Sequence, residues 1–213
     1  MNAGGVRGYR SPRREAQARE TRTRIIAAAK TRFLAHGYAG TTMRAVAADA
    51  DVSLPTVELA FRTKARLLKA VIDVAIAGDD EDQAMLDRQW AAQTESTADP
   101  AEFIATFARQ LAVSAGRAAG LVATALEAAR ADQDITDVAA QLRSQRQIMA
   151  TWLVEGVLQR RTLRAGIGRG EAIDIVWTLM DPVIFGRLAE DRHWSQDQFQ
   201  RFFTDAVIRL LLP

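Results

Sequence analysis

The sequence predicts an all-α protein. Ala, Leu, Arg, Glu and Gln abound among the 213 residues and only five prolines occur, a vocabulary that loses little side-chain freedom on entering a helix. Apolar residues recur at spacings of three and four along much of the chain. The glycines fall mostly where such patterns end, and a hydrophobic share of 48% suffices for a substantial core.

Residues 1–16, with Gly4, Gly5, Gly8 and arginines at 7, 10, 13 and 14, are expected to form a flexible basic arm. The first helix can start at Ser11 with Pro12 in its first turn, or near Thr21. It carries the stripe Ile26, Ala29, Phe33 and stops at Gly37. Thr41 or Thr42 can cap a second helix with Met43, Val46, Ala47 and Ala50 on one face. After a turn at Asp51-Val52, Ser53 caps a third helix with Pro55 in its first turn. At 100° per residue this helix turns Val57 and Phe61 inward and Pro55, Leu59 and Arg62 outward. Two short helices joined by a tight turn make a helix-turn-helix, whose second helix enters the major groove of DNA.

A fourth helix follows from Lys64 through Leu67, Leu68, Val71, Ile72, Ala75 and Ile76 to Gly78. The acidic run Asp79–Asp82 reads as a solvated loop, because it lacks the spacing of a calcium loop. Asp99 caps a helix with Pro100 at its first position; further helices are expected at about 121–130, 134–163 and 169–190. Pro182 should kink the third of these. Ser195 and Gln198 form a capping-box pattern opening a last helix with Phe199, Phe202, Phe203, Ala206 and Leu210 on one stripe.

Charge is distributed unevenly. Residues 1–70 hold 14 Lys+Arg against 5 Asp+Glu, a net of +9, and residues 71–213 hold 14 against 21, a net of −7. A basic first part on an acidic body suggests that only the first part meets a polyanion.

The stretch Gly37-Tyr38-Ala39-Gly40-Thr41-Thr42-Met43-Arg44-Ala45-Val46-Ala47, then Ala50-Asp51-Val52-Ser53, Thr56-Val57, Phe61-Arg62-Thr63-Lys64 and Leu67-Leu68 resembles the N-terminal DNA-binding domain of TetR-family transcriptional regulators. The match spans roughly residues 20–70, and the remainder is similar only in layout. The resemblance implies a helix-turn-helix domain at 17–64 and a helical effector-binding and dimerisation domain at 65–213. It also implies a ligand-responsive regulator, most simply a repressor, that binds a pseudo-palindromic double-stranded DNA operator as a homodimer. Thr42, at a helix N-terminus, can hold a phosphate and Arg44 can add a charged contact. Ser53, Leu54, Pro55, Thr56, Glu58 and Leu59 align with the family's recognition helix, and Lys64 with its backbone-binding lysine.

Two departures stand out: Glu58 replaces the family's usual tyrosine, and Ala60 its usual aromatic. Glu58 can accept from a cytosine amino group or orient a neighbouring arginine, and Leu59 can touch a thymine methyl. With few polar groups left in the helix, the arginines Arg7, Arg10, Arg13 and Arg14, joined by Arg19 and Arg22, are expected to bind phosphates or enter the minor groove.

In the second domain, Phe107, Leu111, Met149, Trp152, Trp177 and Met180 are candidate pocket residues and favour an apolar or aromatic small-molecule effector. Gln145, Arg146, Thr178 and Asp181 are polar groups that could orient it. Dimerisation is expected through the two C-terminal helices, whose stripes include Ile173, Val176, Trp177, Met180, Ile184 and Leu188.

No cysteine is present, and His36 and His193 are the only histidines; neither stands near a nucleophile motif or in metal spacing. No phosphate-binding glycine loop occurs. An enzyme, a cofactor and a metal site are therefore not expected. No signal peptide or membrane span is read, which makes the cytoplasm the expected location. The rival reading is a helix-turn-helix fold used for protein–protein contact, for which Glu58 and Leu59 argue.

Overall fold

A computed structural model describes residues 12–213. Its helices are α1 (Pro12–His36), α2 (Met43–Asp49), α3 (Leu54–Phe61), α4 (Lys64–Ala77), α5 (Gln89–Glu95), α6 (Pro100–Ala128), α7 (Gln133–Arg160), α8 (Arg169–Leu179), α9 (Pro182–Arg192) and α10 (Gln196–Leu211). A 3₁₀ turn at Met85–Asp87 precedes α5, and no strand occurs among the described residues.

Local chemistry sets most helix ends. The side chains of Thr42, Ser53, Thr63, Asp99, Asp132, Asp181 and Ser195 each accept a backbone N–H of the helix they precede. Ser195 and Gln198 complete a reciprocal capping box. Thr41 is fully buried and donates its hydroxyl to the Gly37 carbonyl, so Thr42 is the cap. Gly37 and Gly78 end α1 and α4 at φ of +65° and +98°.

Three expectations change. Residues 100–128 form one unbroken helix, because Gly116 and Gly120 serve close packing. A Cβ on Gly116 would meet the Gln196 side chain, and one on Gly120 would lie 3.0 Å from Leu34. Pro182 separates two helices instead of kinking one, since it occupies the first turn of α9 behind the Asp181 cap, where its missing N–H costs nothing. In consequence the stripe of α8 (Ala172, Ile173, Val176) packs inside the protomer with α7 and α10. Of the stripes expected to dimerise, Ile184, Leu188, Phe202, Ala206 and Leu210 keep exposed surface.

The apolar interior has three parts, all crossed by α6. The first joins Ile25, Phe33, Val46, Val57, Phe61 and Leu68 from α1–α4 to Leu121, Val122, Ile135 and Val138 of α6 and α7. It continues across the α3–α4 corner at residue 64. The second gathers Phe103, Phe107, Leu153, Val176 and Phe203, and the third Ala112, Phe185 and Phe199. α6 is long and apolar enough to cross a membrane, with a mean hydropathy of 1.2 in its most apolar window, although the sequence reading found no such run. Here it is instead the packed axis of the bundle, in contact with α1, α4, α5, α7, α9 and α10.

Candidate nucleic-acid interface and effector cavity

The helix-turn-helix is held by α1. Arg32 forms a bidentate pair with Asp49 of α2, and Arg24 donates to the Ala50 and Asp51 carbonyls behind it. On α3, Ser53 Oγ accepts from the Thr56 N–H and shares a 2.8 Å hydrogen bond with its hydroxyl. Val57 and Phe61 face the core, while Pro55, Glu58 and Ala60 are exposed and Leu59 is 86% exposed. Leu59 thus projects from the outer face of α3, opposite the packed side.

Thr42 and Arg44 are exposed at the start of α2, and Arg44 makes no ion pair among the described residues. Leu54 is different: it is half-buried and packs against the core, which directs it away from the face carrying Leu59. Lys64 is also partly engaged. Its ammonium lies 3.9 Å from the centre of the Tyr38 ring and donates to the Tyr38 carbonyl at 2.8 Å, and burial pushes its pKa down. Burial first, then the carboxylates of Asp132 and Asp134, push the Tyr38 phenol up to about 12. Arg7 and Arg10 lie outside the described residues. Arg13, Arg14 and Arg19 stand exposed on α1, while Arg22 is tied to Asp80. Arg62, turned outward as its helical position predicts, and Arg66, which the sequence pattern did not single out, are exposed at the α3–α4 corner beside Lys64.

A cavity of about 670 Å³ opens between α4, α6, α7 and the loop before α5, a size suited to a small organic molecule. Phe107, Leu111, Met149 and Met180 line it; Trp152 and Trp177 do not. Trp152 is turned into an aromatic cluster with Trp90, Phe103 and Phe107 and donates to Glu95. Trp177 lies under the Arg146 guanidinium at 3.9 Å, and that arginine pairs with Asp181 at 2.7 Å. Gln145, Arg146 and Trp90 are on the wall, as are Val74, Ile76 and Leu142, which helical spacing alone could not distinguish from core.

The acidic run is partly structured. Asp79 pairs with Arg88 and Asp80 with Arg22, while Glu81 and Asp82 are exposed. The Arg88 guanidinium, and then the Glu81 N–H, hold the Asp79 carboxyl down at about 2, against an ordinary 3.8. A carboxylate depressed on folding contributes stability above its unfolded value and loses it as pH falls from about 4 towards 2. Arg88→Gln is expected to return the Asp79 titration, followed by carboxyl-carbon NMR, to the ordinary carboxylate range. A titration that stays put would remove Arg88 as the cause.

Residues 25–71 match the sequence profile of the bacterial regulatory proteins of the tetR family. The chain carries a tetR-type helix-turn-helix domain. The fold agrees over most of its length. The structure of NalD, the secondary repressor of the MexAB-OprM multidrug efflux pump in Pseudomonas aeruginosa, superposes with a TM-score of 0.71 at 17% identity, covering 92% of this chain and 98% of that one. The regulator FadR from Bacillus subtilis, in complex with stearoyl-CoA, gives 0.68 at 15% identity over 87% and 97%. A regulator from Saccharomonospora viridis in complex with choline gives 0.66 at 14% over 91% and 98%. No curated protein matches the chain. The chain thus combines a tetR-type helix-turn-helix with a helical C-terminal body that contains a cavity.

Proposed function

We propose that this protein is a ligand-responsive repressor of the TetR family. It binds a pseudo-palindromic operator as a homodimer and is released by a small, apolar effector. The observation that carries this reading is the continuity of one core: α3, with its outer face free, shares its packing with α4 and α6, which wall the cavity. A ligand that favours a different packing of that core changes DNA affinity by its differential binding, and a coupling of about 1–3 kcal/mol gives 5- to 150-fold control.

In this reading Thr42, Arg44 and Lys64 hold phosphates, the outer face of α3 reads bases, and Arg10, Arg13 and Arg14 add backbone or minor-groove contacts. Leu54 supports α3 from behind. Phe107, Leu111, Met149 and Met180 hold the effector, with Trp152 and Trp177 behind the wall. The division at residue 64 separates these two tasks. α9 and α10, with Ile184, Leu188 and Phe202, meet their two-fold mates, and two recognition helices then match half-sites about one helical turn apart. Similarity to non-enzymatic regulators supports a protein without catalysis that works where the DNA is, in the cytoplasm.

The test is enrichment of an operator from a random DNA pool by the wild-type protein, followed by affinity as a function of salt. If each dimer neutralises about eight phosphates, the slope of log K against log salt is near −7. The Arg44→Gln/Lys64→Gln double variant, which removes four of these contacts per dimer, is expected to halve that slope to about −3.5. A slope shallower than about −3 would contradict a phosphate-dominated interface.

A further inference from the structure

We infer that Asp80, in the cavity wall, positions the recognition helix for DNA through Arg22 and Phe61. The inference rests on the reading of α3 as the DNA-reading helix and adds a residue-level route between it and the effector cavity.

Asp80 receives two hydrogen bonds from one guanidinium, Arg22 Nε at 2.6 Å and Nη2 at 3.1 Å. The same guanidinium lies 4.8 Å from the centre of the Phe61 ring. Phe61 is the last residue of α3, is 4% exposed, and shares the first core with Ile25 and Ile26, one turn along α1 from Arg22. Both Arg22 and Asp80 line the cavity. A planar guanidinium can chelate a carboxylate along its edge while its face lies on an aromatic ring, so one side chain can fix two elements at once.

The carboxylate end is itself anchored. Arg117 of α6 donates to the Ala75 and Ile76 carbonyls at the end of α4, and Ser114 donates to Ile76 as well. Gly78 turns the chain out at φ +98°, in a conformation that favours glycine, and a Cβ there would lie 3.0 Å from the Arg117 guanidinium. Asp79 is held by Arg88. Asp80 is therefore set by helices around the cavity, and a molecule that displaces this loop withdraws the group that orients Arg22 over Phe61.

Asp80→Asn separates this role from simple electrostatics. It removes a negative charge from the DNA-binding end, so charge alone would tighten binding to any DNA. The positioning role predicts an operator-to-nonspecific affinity ratio lowered by about 10-fold, with nonspecific binding unchanged or tighter. Asp80→Glu should keep the ratio within about 3-fold, and Arg22→Lys, which retains the charge but not the planar fork, should fall between the two. Circular dichroism and thermal melting at one protein concentration check that each variant is folded. An Asp80→Asn ratio equal to or above wild type overturns the inference and leaves the repressor reading standing, and so does an Arg22→Lys ratio equal to wild type should Asp80→Asn fail to fold. A wild-type protein that enriches no DNA sequence overturns both.

Discussion

Gly156→Ala should destabilise the protein by about 3 kcal/mol, at the upper end for an overpacked core, with a fall in Tm of roughly 6–12 °C at matched concentration. Gly156 is buried on α7 where it crosses α6, and a Cβ there would lie 2.7 Å from Cε1 of Phe103 and closer still to its Cζ. The ring has nowhere to retreat. Phe103 is fully buried, its neighbour Trp152 lies 5.5 Å away, and the Arg160 guanidinium sits 4.0 Å from its centre. Arg160 is fixed in turn by donating to the carbonyls of Glu95, Thr97 and Gly156. Phe103→Leu in the Gly156→Ala background should recover part of the loss, and a double-mutant cycle would show a coupling above about 0.5 kcal/mol. A Gly156→Ala protein melting within 2 °C of wild type would mean that α6 and α7 separate more easily than this packing allows.

Glu58→Ala should have its largest effect on selectivity. If Glu58 accepts from a cytosine amino group, its loss relaxes preference at one base pair in each half-site by about 1–3 kcal/mol. Removing a carboxylate from the exposed face of α3 also relieves repulsion by phosphates, so nonspecific affinity should rise as selectivity falls. Arg44→Gln should behave differently. With two copies per dimer it weakens binding to all sequences and flattens the salt slope by about 2. Base preferences from selection of randomised operators distinguish the two; a Glu58→Ala profile identical to wild type would restrict Glu58 to orienting a neighbour.

How legible the molecule was depended on the range over which each feature is specified. Ser53, Asp99 and Ser195 cap helices through bonds to residues three positions on, so the sequence contained both partners in one short window. The inward turn of Val57 and Phe61 followed from helical periodicity in the same way. The separate helix expected from about residue 121 is instead the end of α6; Gly116 and Gly120 lie inside that helix, and Gln196 and Leu34, which pack at them, are distant in sequence. Trp152 and Trp177 read as pocket residues by composition, yet hydrogen bonding to Glu95 and stacking under Arg146 turn them off the cavity. Arg22 illustrates the same limit at the DNA-binding end, since its partner Asp80 lies 58 positions away in what read as a solvated run.

The unbroken course of α6 has a mechanical meaning. Leu34 of α1 rests at Gly120 and can act as a bearing. At 1.5 Å per residue, Phe107 on the cavity wall lies about 20 Å to one side of it, and Ala128, against the core of the helix-turn-helix, about 12 Å to the other. A rigid rod pivoting there converts a 2 Å displacement at Phe107 into about 1.2 Å at Ala128, reversed in sense. Two such levers related by a two-fold axis would move their far ends by equal amounts in symmetry-related directions, so the gap between the reading heads changes by up to twice the travel of either one.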